Sequence, residues 1–211
     1  MKNLGEYQQE QLEALALVRS HLDGLDAASL AGLEAQCADY LSFRKEVDRF
    51  LETYFSGICT EACYRSGMSA CCTREGIITF FADVVVNALA SPREAVETMH
   101  ARLVQPHRGN KCLYLGESGC LWHVKPLVCA MFLCDRAENE VLGEDPQLCN
   151  TWEELKRREK TFRWPDRAVL FDDLEKVFID AGHSSTLMYL HNSPGLLKIK
   201  KSAQKKKGCP E

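Results

Sequence analysis

Cys112–Cys134, read as CLYLGESGCLWHVKPLVCAMFLC, holds four cysteines in 23 residues. A second group precedes it: Cys59, Cys63, Cys71 and Cys72. The chain has 11 cysteines in 211 residues, the others being Cys37, Cys149 and Cys209. Thiolates are nucleophiles, redox groups and soft metal ligands. The start, MKNLGEYQQEQLEAL, carries early acids and has no apolar h-region, so no secretory signal is read there. The implied compartment is cytoplasmic and reducing, where structural disulfides are rare and clustered cysteines more often bind metal or do redox chemistry. An odd cysteine count also argues against a closed disulfide framework.

The spacing suggests how the thiols meet. On an α-helix Cys59 and Cys63, at i and i+4, share a face and can bind one metal. Ser66-Gly67 suggests a reversal that returns Cys71-Cys72 towards them. Cys112-Leu-Tyr-Leu and Cys120-Leu-Trp-His flank Gly-Glu-Ser-Gly and read as a small β-hairpin with a four-residue loop. In that register Leu115 opposes Cys120, and Cys112 opposes His123. Cys112 and Cys120 then face opposite sides, roughly 10 Å apart, and share a metal only if the hairpin is irregular. Helical geometry would set Cys129 and Cys134 about 140° apart, with Cys129 facing the site. Cys149 follows the loop 143–146, which could return it to the cluster. Cys37 reads as a small buried hydrophobe, and Cys209 as a weak ligand candidate.

The candidate metal ligands are therefore Cys59, Cys63, Cys71, Cys72, Cys112, Cys120, Cys129, Cys134 and Cys149. Zinc takes four tetrahedral thiolate or imidazole ligands, and an iron–sulfur cluster also takes four cysteines. Nine candidates exceed one such site, so two metals, or one cluster plus structural thiols, would fit. Thr98–Gly116 contains Arg102, Arg108, Lys111 and two histidines without an acid. It could balance thiolate charge, receive an anion, or be a solvated loop.

These residues resemble the YkgJ-like cysteine-cluster family, described as a zinc- or iron-chelating domain. Cys71-Cys72, Cys120, Pro126, Cys129, Phe132 and Cys149-Asn150 occupy places that match its pattern, over about residues 59–150. Lys125 and Ala130 stand where the family has arginine, and Trp122-His123 where it has Ile-Tyr. The resemblance implies zinc or iron chelation through these cysteines. It does not carry a reaction.

The elements that must position the thiols read as helices. Leu12, Leu15, Leu17, Val18 and Leu22 give one apolar stripe. Leu30, Leu33, Leu41, Val47, Phe50, Leu51 and Tyr54 give another after Gly24–Asp26, with Asp26 or Ser29 as cap. Residues 73–90 read as a mostly buried helix. Ser91-Pro92-Arg93-Glu94 opens a helix to about Val104, with Ser91 as N-cap. TWEELKRREK is a short charged helix, and residues 165–182 form another, with Val169, Leu170, Leu174, Val177 and Phe178 on one side and Gly182 as its stop.

The fold class is mainly α: a single helical domain with a small β-hairpin and a cysteine-rich metal site between helices. Residues 1–58 form an N-terminal helical hairpin, 59–150 the cysteine region, 151–197 the C-terminal helices, and 198–211 a flexible lysine-rich tail. Net charge is −4 and 45% of residues are hydrophobic, which carries no strong nucleic-acid signal. The longest apolar run, Leu127–Leu133, is too short to span a bilayer.

The expected function is a cytoplasmic metal-binding protein holding zinc or an iron–sulfur cluster. The alternatives are a cluster-dependent oxidoreductase, a protein-modifying enzyme, and a metal-free thiol redox sensor built on Cys71-Cys72 with Arg65 and Arg74 nearby. The helical hairpin could also dock a protein partner. No Rossmann glycine pattern, P-loop, HExxH or Gly-x-Ser-x-Gly elbow is present.

Overall fold

The computed structural model of the chain describes residues 4–74, 78–143, 145–163 and 169–188. Among them are eight α-helices and one two-stranded hairpin, so the protein is mainly α. The lysine-rich tail, Cys209 and residues 165–168 of the last predicted helix lie outside the described residues.

Helix α1 (Glu6–Asp23) ends at Gly24, and α2 (Ala27–Phe55) starts where the Asp26 carboxylate accepts the Ser29 N–H at 2.7 Å. That bond satisfies one of the orphan donors of a helix N-terminus. The two helices find their main partners elsewhere than in each other: α1 packs on α3 (Phe81–Ala90) and α4 (Arg93–Leu103), and α2 on α3, α6 (Asp135–Leu142) and α8 (Leu170–Asp180). Helix α7 (Pro146–Arg163) joins α6 to α8.

The centre is α3. Seven consecutive residues, Phe81 to Asn87, are buried, as a helix surrounded on all sides must be. The helix is shorter than the span 73–90 read from hydropathy. Thr73 instead forms an antiparallel bridge with Lys111, and the buried Asp83 starts the helix late by accepting the Phe80 N–H at 2.9 Å. Helix α4 also begins one residue later than expected, with Pro92 rather than Ser91 at the cap.

The buried stripe of α2 runs through Leu33, Cys37, Tyr40, Phe43, Arg44, Val47 and Phe50, while Tyr54 is exposed. Cys37 is fully buried, as expected of a packing residue, and burial pushes its thiol up to about 11. Phe50 stacks on Trp152 of α7 with ring centroids 5.7 Å apart, and Tyr40 meets Phe171 of α8 edge-on at 5.5 Å. Gly182 ends α8 with φ +83°, and the His183 N–H reaches back to the Phe178 carbonyl at 2.9 Å. That closure is the glycine stop the sequence predicts. Among the described residues, no helix is long and apolar enough to cross a membrane.

Candidate metal centre

The ten described cysteines are all free thiols. Cys59 and Cys63 do not sit on an α-helix. They belong to a π-helical segment, Ser56–Tyr64, that continues α2 with i→i+5 bonding. Such segments are rare and recur at functional sites. The Met68 and Ser69 N–H groups both reach the Cys63 carbonyl, and Gly67 takes φ +76°, reversing the chain. The Ala70 N–H then points at the Cys63 sulfur, 3.4 Å away. The expected return of Cys71-Cys72 towards Cys59 and Cys63 is present.

The second group differs from the expected hairpin. Strands β1 (Leu115–Gly116) and β2 (Gly119–Cys120) do pair Leu115 with Cys120. The pairing does not reach Cys112 and His123. The Cys112 N–H bonds to the Cys72 carbonyl at 2.8 Å instead, and His123 is exposed. The chain turns at Cys112, whose sulfur accepts the Tyr114 N–H at 3.4 Å. The Cys120 thiol is felt at Cys112, which it raises.

Cys129 and Cys134 do not share a helix either. Cys129 lies in the short α5 (Leu127–Ala130), and Cys134 is the N-cap of α6. Three residues of irregular chain re-aim Cys134, so the angle of 140° expected of one continuous helix does not apply. Cys149 sits in the first part of α7 and is exposed.

Electrostatics shows which thiols are close. Cys59 is raised by removal from water, then by Cys71, Cys134 and Cys63. Cys129 is pushed up to about 12 by removal from water, with Asp83, Cys120, Cys112 and Cys71 adding to it. Cys112 is pushed up to about 11, mainly by removal from water, against the pull of the Tyr114 N–H. Coupling between the adjacent thiols raises Cys71 and lowers Cys72. Lys125 lowers Cys59, Cys71 and Cys120 alike. The cysteines from Cys59 to Cys134 thus act on one another electrostatically. Among the described residues, no group of three or more histidine, cysteine, aspartate or glutamate side chains is placed so that it could hold a metal ion.

Buried polar side chains of the helices hold these segments. Asp83 of α3 accepts the Leu127 N–H at 3.0 Å, fixing the start of the turn that carries Cys129, and Asn87 accepts the Val124 N–H at 2.9 Å. Burial pushes the Asp83 carboxyl up to about 6 despite those amides. Arg44 of α2 donates to the Lys125 carbonyl. Gln11 of α1 donates to Thr79 at 2.7 Å and accepts the Tyr114 hydroxyl at 3.0 Å. Tyr64, at the end of the π segment, donates to the Glu117 carbonyl at 2.6 Å and ties the two cysteine groups together. The basic stretch has structural work too. Arg102 donates to the Leu113 carbonyl, and Lys111 donates to the carbonyls of Met68 and Ser69.

The sequence reading missed these anchors. Their signal was present as polar residues inside apolar helical stripes, with Asp83 and Asn87 bracketing Val84–Val86 and Arg44 between Phe43 and Val47.

Comparison with protein-family models, with curated proteins and with solved structures finds no match.

Proposed function

We propose that the protein is a cytoplasmic metal-binding protein that holds a soft metal, as zinc or an iron–sulfur cluster, through clustered thiolates. One observation carries the reading: the Cys112 N–H bond to the Cys72 carbonyl joins the two cysteine groups, and backbone N–H groups point at sulfurs in both. The Ala70 N–H faces Cys63 and the Tyr114 N–H faces Cys112. A Trp122 N–H also lowers Cys120. Amides aimed at sulfur stabilise thiolate charge and tune metal–thiolate centres. Removal from water raises Cys59, Cys112, Cys120 and Cys129 as bare thiols. A thiophilic cation reverses that cost by taking the deprotonated form. The donor set excludes magnesium and calcium as preferred ions.

The residues that would hold the metal are Cys59, Cys63, Cys71, Cys72, Cys112, Cys120, Cys129 and Cys134. The resemblance of residues 59–150 to the YkgJ-like pattern supports the same reading. Zinc would supply a structural cross-link, and an iron–sulfur cluster an electron-transfer centre. Cys149, exposed in the first part of α7, is the ninth candidate.

A second reading, a metal-free dithiol redox switch, is favoured by the vicinal pair Cys71-Cys72, whose coupling lowers the Cys72 thiol. A lowered thiol is the more nucleophilic partner of a dithiol pair. The readings part on anaerobically purified protein. Bound zinc, or iron with acid-labile sulfide, is the expected result. Folded protein without metal, unable to take it up, overturns the metal reading and favours the switch.

A further inference from the structure

Helix α7 turns a charged face towards α5. Glu153, Lys156, Arg157, Lys160 and Arg163 recur every three or four residues and so share that face, while Trp152 and Leu155 turn into the core. Between α7 and the α5 turn lies an open cleft of about 600 Å³, within the size range of small-molecule sites. Its apolar wall is Val128, Met131 and Phe132. Val128 and Met131 are half-buried and Phe132 is 54% exposed, so this wall offers uncovered apolar surface.

The charges of the cleft do not balance. Four cations, Lys156, Arg157, Lys160 and Arg163, stand against two carboxylates, Glu153 and Glu159. Both carboxylates are already neutralised: Lys156 pairs with Glu153 at 3.0 Å, and Arg163 with the buried Glu159. Arg157 pairs with Glu154, which lies outside the lining, at 2.6 Å. Both partners of that pair are exposed, and such pairs are weak and easily exchanged. Lys160 is exposed and forms no ion pair among the described residues.

We propose that this cleft binds a small organic anion with an apolar body, of the class of aromatic or aliphatic carboxylates, sulfonates and phosphate esters. The head group meets Lys160 and Arg157, and the body lies on Phe132, Met131 and Val128. A neutral ligand leaves the positive surplus unanswered, and an inorganic anion leaves the apolar wall in water. A cation is repelled. The same charge argument sets aside the chain's own tail, whose six lysines between Lys198 and Lys207 carry the sign of the cleft. The proposal stands independently of the metal reading. Its place in the fold still bears on the cysteines: Val128 and Met131 flank Cys129 and Ala130 in the chain, and Asp83 holds the Leu127 N–H just before them. An occupant of the cleft lies against the turn that carries Cys129.

The test uses the folded full chain and two fluorescent probes that share one aromatic body: anilinonaphthalene sulfonate, and its uncharged counterpart phenylnaphthylamine. The sulfonate is expected to saturate at about one equivalent per chain, from one cleft. It should bind roughly tenfold more tightly than the neutral probe, and salt should weaken it. The double variant Arg157→Ala/Lys160→Ala alters only exposed side chains. It should weaken the sulfonate roughly tenfold and leave the neutral probe unchanged, whereas Phe132→Ala should weaken both. Circular dichroism checks the fold of each variant. Equal affinity for the two probes in the wild type overturns the anion assignment, and that comparison needs no variant. Absence of saturable sulfonate binding, or folded variants that bind it as the wild type does, overturns the site.

Discussion

In the helical body, Phe50 lies flat on Trp152 and neither ring reaches water to any extent. In the cysteine region, Cys72 faces Cys112 across a single backbone hydrogen bond, and most thiols are open to solvent on one side. The first region is held by apolar area, which needs no exact partner. The second has little apolar area and only four residues of strand. It depends on Asp83, Asn87 and Arg44, which reach out of the helices and grip loop backbone, and on Gln11, which holds the Thr79 and Tyr114 hydroxyls. The lesson is a division of labour: the body sets stability, and a few buried polar side chains transmit its rigidity to the thiols.

Perturbing one region without the other sharpens this contrast. Trp152→Ala opens a cavity at the body's aromatic centre and is expected to cost about 3–5 kcal/mol, read by denaturant unfolding. Metal uptake by the protein that remains folded should be unchanged; a changed stoichiometry would break the comparison. Asp83→Ala strands the Phe80 and Leu127 N–H groups, at about 1–3 kcal/mol each. Unlike the tryptophan variant, it should also weaken metal affinity, since the turn carrying Cys129 loses its anchor. Equal affinity in this variant would remove Asp83 from the positioning role. Gln11→Ala releases Tyr114 and Thr79 and is expected to cost about 1–2 kcal/mol, with a smaller loss of affinity through the loop that follows Cys112.

The smallest effect belongs to the body alone. His21 at the end of α1 lies 3.1 Å from His183, and burial followed by His183 holds it below the ordinary imidazole value of about 6.5. The fold therefore favours the neutral ring. Stability from this site is complete above the ordinary value and declines as pH falls below it. In chemical denaturation across pH 5 to 8, His21→Phe should flatten that slope, and an unaltered slope would place its origin elsewhere.

The body was the more legible region in the sequence because its signals are periodic. The stop at Gly182, the Asp26 cap and the buried Cys37 follow from local chemistry, and each is found. The length of α3 was misjudged because 73–90 is apolar almost throughout; hydropathy could not register that Asp83 would start the helix late. The cysteine region was legible in composition but not in geometry. The i, i+4 pair at Cys59 and Cys63 assumed an α-helix where the chain is π-helical. The register at Leu115 and Cys120 was readable from the Gly-Glu-Ser-Gly turn. The break at Cys112 was not, because it comes from a bridge to Thr73, nearly forty residues earlier in the chain. Non-local backbone pairing leaves no local pattern.

The central claim is the proposal that the clustered cysteines from Cys59 to Cys134 hold a soft metal. Alkylation followed by mass mapping, on metal-loaded and chelator-stripped protein, tests it most directly. The account predicts that metal protects Cys59, Cys63, Cys71, Cys72, Cys112, Cys120, Cys129 and Cys134 from labelling. Labelling of those eight that metal does not change would contradict it.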